Sequence, residues 1–481
     1  MTKVFISLIS ACLITGCISV PMNPPLKEVG EKEAYSFNNL LAQGNEIGDN
    51  FVVVALSGGG TRAGSLSYGV LKALEEVKLP EGQSLLDEVK VISSVSGSSF
   101  VSAYYGLYGK EKFFRDYKEE VLYQKLSSQL LRNLIRFVHW VPVAFSADLG
   151  RSEVAQRLYD KKLFHGHTFR EMPRRWPFVI INASDMTKGT VLSFIQEDFD
   201  RLCSDLNGIK LSRAVVASSA FPGPFTPIAL KNYPKSQCGY ELPSWVEEAL
   251  ARHPEEDLER FVWAQNMKAY EDAEARPFIH LFDGGVADNL GVNPLLFNFR
   301  MGAWNLADSE RRFKAKRVIL IIVDAKPADD LSHDRKERIP RLMTVLTNAA
   351  SKPLRNYTVK SVQEFALRFQ ANEAGGKNFA VIKSLCDRVY AENGEREKCY
   401  DQYESPLGGV LKPPYPDLYL IHVQFDAIRN PELREKLGQI ATDLQLKKDE
   451  VDLVIEAAGT ILGESPAFQR LMTDLGAKRT K

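Results

Sequence analysis

Of 481 residues only 6 are cysteine and 7 histidine, and the 61 acidic side chains are matched by 61 basic ones. Each scarcity closes a route. Without net charge there is no long-range field to draw the chain to a polyanion, so no nucleic-acid partner is expected and a lipid must be met through local features. The cysteines stand singly, outside CxxC pairs and without histidine partners, so no zinc site is expected, and no other metal or cofactor is called for. No Gly-Lys-Ser/Thr follows a glycine-rich loop, which excludes a Walker-type phosphate cradle. After residue 50 there is no internal repeat, low-complexity tract or glycine-serine linker to divide the chain.

What is present begins with a 44% hydrophobic composition, enough to fill a large core. Lys3 precedes an apolar run from Val4 to Ile14 that is too short for a bilayer, which needs about 20 residues, and fits an export signal. The four residues Ile14-Thr15-Gly16-Cys17 resemble a bacterial lipoprotein signal. That resemblance implies a signal peptide over 1–16, acylation of Cys17 by chains such as palmitate, and, with Ile18 rather than Asp next, an outer-membrane location in the cell envelope. Several acyl chains, at about 0.8 kcal/mol per buried methylene, would make such an anchor permanent. Pro21, Pro24 and Pro25 with scattered charges predict an extended tether over 17–50. Export would expose Cys203, Cys238, Cys386 and Cys399 to oxidation. Four cysteines allow three pairings; Cys203 with Cys238 and Cys386 with Cys399 is favoured, the second closing a polar loop for about 3 kcal/mol.

The folded part is expected to start near Phe51. The continuous β-branched run Phe51 to Leu56 suits a strand buried on both faces, and further strands are expected at Val89 to Ile92, Phe178 to Ala183, Ile279 to Phe282, Val318 to Asp324 and Leu418 to Phe425, with helical spacing between them, as at Leu66, Val70, Leu74 and Val77. Such alternation predicts an α/β fold: a mainly parallel central sheet with helices on both faces.

Three motifs carry chemistry. Ser57-Gly58-Gly59-Gly60-Thr61-Arg62 falls where the first strand turns into its helix, leaving amides uncovered at a helix N-terminus, a cradle for an anion or oxyanion. Gly58, Gly60 and Ala63 also satisfy a dinucleotide pattern, but the second strand ends in Ser93-Ser94-Val95-Ser96 with no acid for a ribose. Arg62 in the first turn opposes the helix dipole, as expected of a side chain that binds elsewhere. A glycine turn chosen for tight packing explains the loop equally well. Ser94-Val95-Ser96-Gly97-Ser98 suits a strand-to-helix elbow presenting Ser96, with Ser94 and Ser98 where glycines are usual; a helix cap by Ser96 is the plainer alternative. Phe282-Asp283-Gly284-Gly285 ends a strand and turns away, bringing a carboxylate to the same rim as Ser96, although Asp-Gly-Gly is also a common turn.

Taken in order, glycine loop, serine elbow and Asp-Gly-Gly resemble the patatin-like phospholipases. The resemblance extends to Asn182-Ala183-Ser184-Asp185, to Ala217-Ser218-Ser219-Ala220-Phe221-Pro222-Gly223, and to the stretch from Asp283 through Asp288-Asn289-Leu290. It covers 51–325 and leaves 326–481 as an elaboration of the same domain. It implies a three-layer patatin-like sandwich, a lipid acyl hydrolase of phospholipase A or lysophospholipase type, and a membrane phospholipid or other acyl lipid as substrate. It also implies Ser96 as nucleophile, Asp283 as base, and an oxyanion hole from the amides of Gly58, Gly59 and Gly60 with Arg62 supporting that loop. No catalytic histidine belongs to that pattern.

Weaker signals remain. Between Val121 and Ala147, Lys125, Arg132 and Arg136 alternate with leucines and Trp140, as in a membrane-surface helix or a helix packed on a core. The charged run from Glu255 to Arg276 reads as a solvated helix. His280 is the candidate third member of a Ser-His-Asp esterase, out of phase with Asp283 on its strand. A catalytically weak envelope scaffold with the same fold is the other alternative.

Overall fold

A run of aliphatic side chains from Phe51 has no polar face to offer water, so it must be covered on both sides. In the computed structural model, which describes residues 22–124, 150–301, 315–328, 416–479 except 444, and scattered positions from 360 to 389, strand β1 (Asn50–Leu56) is buried at every position. Short β2 (Val77–Lys78) is followed by β3 (Val89–Val95) and β4 (Phe178–Asp185), both again buried throughout. Then come β5 (Val191–Ser193), β6 (Ile228–Lys231), β7 (Phe278–Asp283), β8 (Arg317–Asp324), β9 (Asp417–Gln424) and β10 (Lys478–Arg479). Among the described residues the main sheet runs β6-β7-β4-β3-β1-β8-β9, with β5 paired to β4. Its β4-β3-β1-β8-β9 part is parallel, and β5, β6 and β7 pair antiparallel. The fold is therefore a central, mainly parallel sheet flanked by helices, as the strand pattern predicts.

The helices that matter for the site are α1 (Phe37–Ala42), α2 (Gly60–Glu75), α3 (Gly97–Tyr117, interrupted at Gly109), α4 (Leu211–Ser218) and α5 (Lys448–Glu464). Leu66, Val70 and Leu74 of α2 are fully buried, and α5 crosses so close that a Cβ on Gly69 would lie 2.5 Å from the Ile455 carbonyl oxygen. Chain beyond the catalytic-type motifs is thus folded onto the first helix. The solvated helix expected between Glu255 and Arg276 is present as Leu258–Lys268.

One sequence expectation changes here. The tether over 17–50 is not extended from residue 23 onward. Leu26, Tyr35, Phe37 and Leu40 are buried, Tyr35 stacks on Phe178 with centroids 4.7 Å apart, and Phe37 meets Phe178 edge-on at 5.7 Å. Proline and charge suggested a linker, but a few large apolar side chains suffice to anchor a segment, because each buried aromatic removes some 150 to 250 Å² from water. Cys203 and Cys238 form a disulfide that packs against Leu26, and Leu26 N–H donates to the Cys203 carbonyl at 2.8 Å. Cys386 is disulfide-bonded, while Cys399 and Cys17 lie outside the described residues.

Phe37→Ala therefore tests the corrected boundary. Loss of a buried aromatic is expected to destabilise the fold by about 3 to 5 kcal/mol in chemical denaturation, whereas a side chain in a free tether would leave the midpoint unmoved.

Candidate active site

Strand β3 ends at Val95, and the chain turns so sharply into α3 that Ser96 adopts φ 53° and ψ −122°. A side-chain-bearing residue held there stores on the order of 1 to 3 kcal/mol of strain, which persists only where surroundings enforce it. The turn is tight because α3 starts against the glycine loop: a Cβ on Gly97 would overlap the Gly60 carbonyl. Ser96 makes no side-chain cap to its own helix. Its Oγ donates instead to Asp283 Oδ2 at 2.8 Å.

Asp283 arrives by a route the sequence did not reveal. A parallel strand ending at Asp283 was expected; β7 is antiparallel to β4, pairing Ala183 with Asp283 and Asp185 with Leu281. It overlaps only the end of β4, so its last residue falls level with Ala183, one step past the Val95–Asn182 pair of β3 and β4. Gly284 then crosses β4 so closely that a Cβ would overlap the Asn182 carbonyl. Asp283 is 5% exposed. Burial pushes its carboxyl up to about 6, against the opposing pull of the Gly285 N–H and the Ser96 hydroxyl. The Gly285 N–H donates to Oδ1 at 2.8 Å, which fixes the carboxylate plane.

The glycine loop lies on the other side of Ser96, with a Cβ on Gly58 reaching within 3.1 Å of Ser96 Cβ. Not all of its amides are open. Gly58 N–H donates to the Asn289 carbonyl at 2.9 Å, so Gly58 is a brace and not an oxyanion donor. Thr61 N–H is taken by the Asp443 carbonyl at 2.8 Å. Among the described residues the amides of Gly59, Gly60 and Gly97 have no acceptor, and Gly97 directly follows Ser96. Arg62 keeps the supporting place expected of it: its guanidinium donates to the carbonyls of Ala325 (2.8 Å) and Ile440 (2.5 Å) and to Thr442 Oγ1 (2.7 Å). Burial lowers it to about 10, with Asp324 opposing. It supports the loop by pinning the chain beneath it.

Ser94 and Ser98, where glycines are usual, are fully buried and hydrogen-bonded. Ser98 Oγ donates to the Ser57 carbonyl at 2.6 Å and meets Ser67 Oγ at 2.9 Å; Ser94 Oγ reaches Ser102 Oγ (2.6 Å) and the Ile180 carbonyl (3.1 Å). Asn182 Nδ2 donates to Ser93 Oγ and the Ser94 carbonyl, and Ser184 Oγ donates to the carbonyls of Asp283 and Gly284. Asp288 accepts from the amides of Leu290 and Asn293, which shapes the loop rather than supplying a second acid to Ser96. His280 is exposed on the face of β7 opposite Asp283 and does not approach the pair. Sequence reasoning missed Thr442 and Asp443, for which no local pattern exists, and gave no role to Ser184 and Ser218 although both stand in quoted motifs. The amphipathic segment from Lys125 to Ala147 lies outside the described residues.

A strained elbow serine bonded to a buried carboxylate beside unpaired amides is an arrangement fit for acyl transfer. A family profile described as patatin-like phospholipase matches residues 54–296. The chain belongs to the patatin-like phospholipase family, which makes it a member of a group of lipid ester hydrolases. No curated protein matches it in sequence. Among solved structures, the human GIVD cytosolic phospholipase A2 is similar at 12% identity and a TM-score of 0.42, over 96% of this chain and 67% of that one. The same human enzyme in complex with methyl gamma-linolenyl fluorophosphonate aligns at 11% identity and 0.39, over 93% and 63%. VipD from Legionella pneumophila aligns at 10% and 0.28, over 97% and 76%.

Restoring the usual elbow glycine should harm this protein. Ser98→Gly leaves the Ser57 carbonyl and the Ser67 hydroxyl unpaired in the core, an expected loss of about 1 to 3 kcal/mol; an unchanged denaturation midpoint would show that the serine is a passive replacement.

Proposed function

We propose that this chain cleaves carboxylic esters of acyl lipids, of phospholipase A or lysophospholipase type, through a Ser96–Asp283 dyad and an acyl-enzyme. The observation that carries this is the 2.8 Å bond from Ser96 Oγ to Asp283 Oδ2, made where free amides adjoin the hydroxyl. In this mechanism an ester carbonyl seated about 3 Å from Ser96 Oγ is attacked as Asp283 takes the hydroxyl proton, and the oxyanion meets the amides of Gly59, Gly60 and Gly97. Asp283 then hands the proton to the leaving alcohol, and in the second half activates water to free the fatty acid from Ser96. Fixed backbone donors need no reorganisation as charge develops, and losing one typically slows such reactions about 100 to 1,000-fold.

A Ser-His-Asp alternative finds no support in His280, whose side chain is exposed away from the pair. The cellular setting is carried by Ile14 to Cys17, which support acylation at Cys17 and an enzyme tethered to the bacterial envelope beside its lipid substrate. A scaffold with the same fold would not react at Ser96 with a fluorophosphonate, and an active hydrolase must.

Wild type incubated with a panel of phospholipids and lysophospholipids is expected to release fatty acid, and Ser96→Ala to release none; product formation by Ser96→Ala at the wild-type rate sinks the dyad. The base works only when ionised, so kcat/KM should rise with pH through about 6 and fall away below it. The same burial sets a stability effect of opposite benefit. Because the folded-state value lies above the unfolded carboxylate value of 3.8, the native state binds the proton more tightly, and stability from this group is full below about 4 and lost as pH climbs through about 6. Asp283→Asn should therefore be inactive yet more stable than wild type at pH 7.5, by on the order of 3 kcal/mol, with the difference vanishing near pH 4 in denaturation curves.

A further inference from the structure

The tripeptide Ser218-Ser219-Ala220 has no part in the mechanism above, yet it lies against both members of the dyad. Ser218 closes α4 and is fully buried. Its carbonyl accepts the Gly284 N–H at 3.0 Å, and the Ala220 carbonyl accepts the Asp283 N–H at 3.1 Å. Its side chain goes the other way: Ser218 Oγ accepts the Ser96 N–H at 2.9 Å, across 122 residues of sequence. One short stretch thus holds the backbone of the nucleophile and that of the base.

The bond to Ser96 matters because of the elbow. The β3–β4 ladder ends at the Val95–Asn182 pair, and among the described residues Ser218 Oγ is the acceptor of the Ser96 amide. An amide orphaned there would carry a desolvation penalty of about 1 to 3 kcal/mol, comparable to the strain the elbow stores. The N–H lies in the peptide plane and the Cα–Cβ bond is set relative to it by φ, which the tight turn holds at 53°. Holding the amide therefore aims the hydroxyl.

We infer that Ser218 is a positioning residue for ester cleavage: its hydroxyl oxygen keeps Ser96 in the elbow conformation from which Oγ meets both Asp283 and the substrate carbonyl. The inference rests on the proposed dyad. Fluorophosphonate titration counts reactive Ser96 hydroxyls, so kcat can be expressed per competent site. Ser218→Ala is expected to lower kcat per site and the labelling rate constant together by about 100-fold, the scale of an ångström of misplacement, with KM within about twofold of wild type. The acid limb of its pH profile is expected to move to higher pH, because the Ser96 hydroxyl is one of the two donors that favour the ionised Asp283 carboxylate. Ser218→Thr keeps the oxygen and is expected to recover most of the loss. If Ser218→Ala does not fold, Ser218→Cys replaces it; sulfur accepts weakly, so its rate should fall well below that of Ser218→Thr. Wild-type kcat per site in Ser218→Ala, or in Ser218→Cys where that variant stands in, overturns the inference, and so does a loss that Ser218→Thr shares in full. Failure of the wild-type chain to label at Ser96 would instead overturn the dyad, so the two failures are separable.

Discussion

A buried carboxylate next to a serine hydroxyl is the constraint around which the rest of this structure is arranged. Removing Asp283 from water raises its proton affinity toward the range a base needs, and it also makes the ionised form expensive to hold. Two donors offset part of that penalty, Gly285 N–H at one oxygen and Ser96 Oγ–H at the other. Both depend on chain segments that would not otherwise approach: β3 must end in a strained turn, and β7 must run antiparallel to β4 so that its last residue meets the level of that turn. Strain and burial of this kind persist when neighbouring contacts over-determine them, and the surroundings of Ser96 do so with hydroxyl groups.

Ser93, Ser94, Ser98, Ser102, Ser184 and Ser218 are all fully buried near the carboxyl ends of β3 and β4. Each satisfies a backbone group or another hydroxyl: Ser93 the Gly291 carbonyl, Ser98 the Ser57 carbonyl, Ser184 the carbonyls on either side of the Asp283–Gly284 bond. A hydroxyl is small, turns to suit its partner and carries no charge, so it can tie loops together without the desolvation penalty of an ion. The serines flanking Ser96 belong to this web. They fill space that glycine would leave empty and use it for hydrogen bonds to the neighbouring loop and strand.

How much of this could be read beforehand follows the range of the forces involved. Strands buried on both faces announce themselves by unbroken apolar runs, and β1, β4 and β8 were legible for that reason, while β9 is buried only at alternate positions. The pairing of Ser96 with Asp283 was legible because each sits in a local motif with its own turn chemistry. The direction of β7 was not, since five or six apolar residues look alike whichever way the strand runs, and β6, which lies beside it, is too short to register. The packing of Tyr35 and Phe37 on Phe178 was hidden for a related reason: composition averages over a segment, while anchoring needs only a few side chains in the right places. The engagement of the Gly58 amide by Asn289 was beyond reach because an amide carries no sequence label at all; any residue at 289 could have offered the same carbonyl.

The least legible feature joins the glycine loop to chain outside the 54–296 segment matched by the family profile. Thr61 N–H ends on the Asp443 carbonyl, and Arg62 binds the Ala325 and Ile440 carbonyls and Thr442 Oγ1, all beyond residue 296. Gly60 is held between them, with the Asp443 carbonyl where a side chain would be. An arginine in the first turn of a helix opposes the dipole and is a poor choice for stabilising that helix by itself. Buried here against two carbonyls and a hydroxyl, it acts as a bolt through the loop. The amides that remain open at Gly59 and Gly60 are thus defined as much by what the later chain occupies at Thr61 and below as by the glycines. It follows that the arrangement of the open amides depends on chain beyond residue 296, and that the motif segment by itself does not contain the contacts that set it.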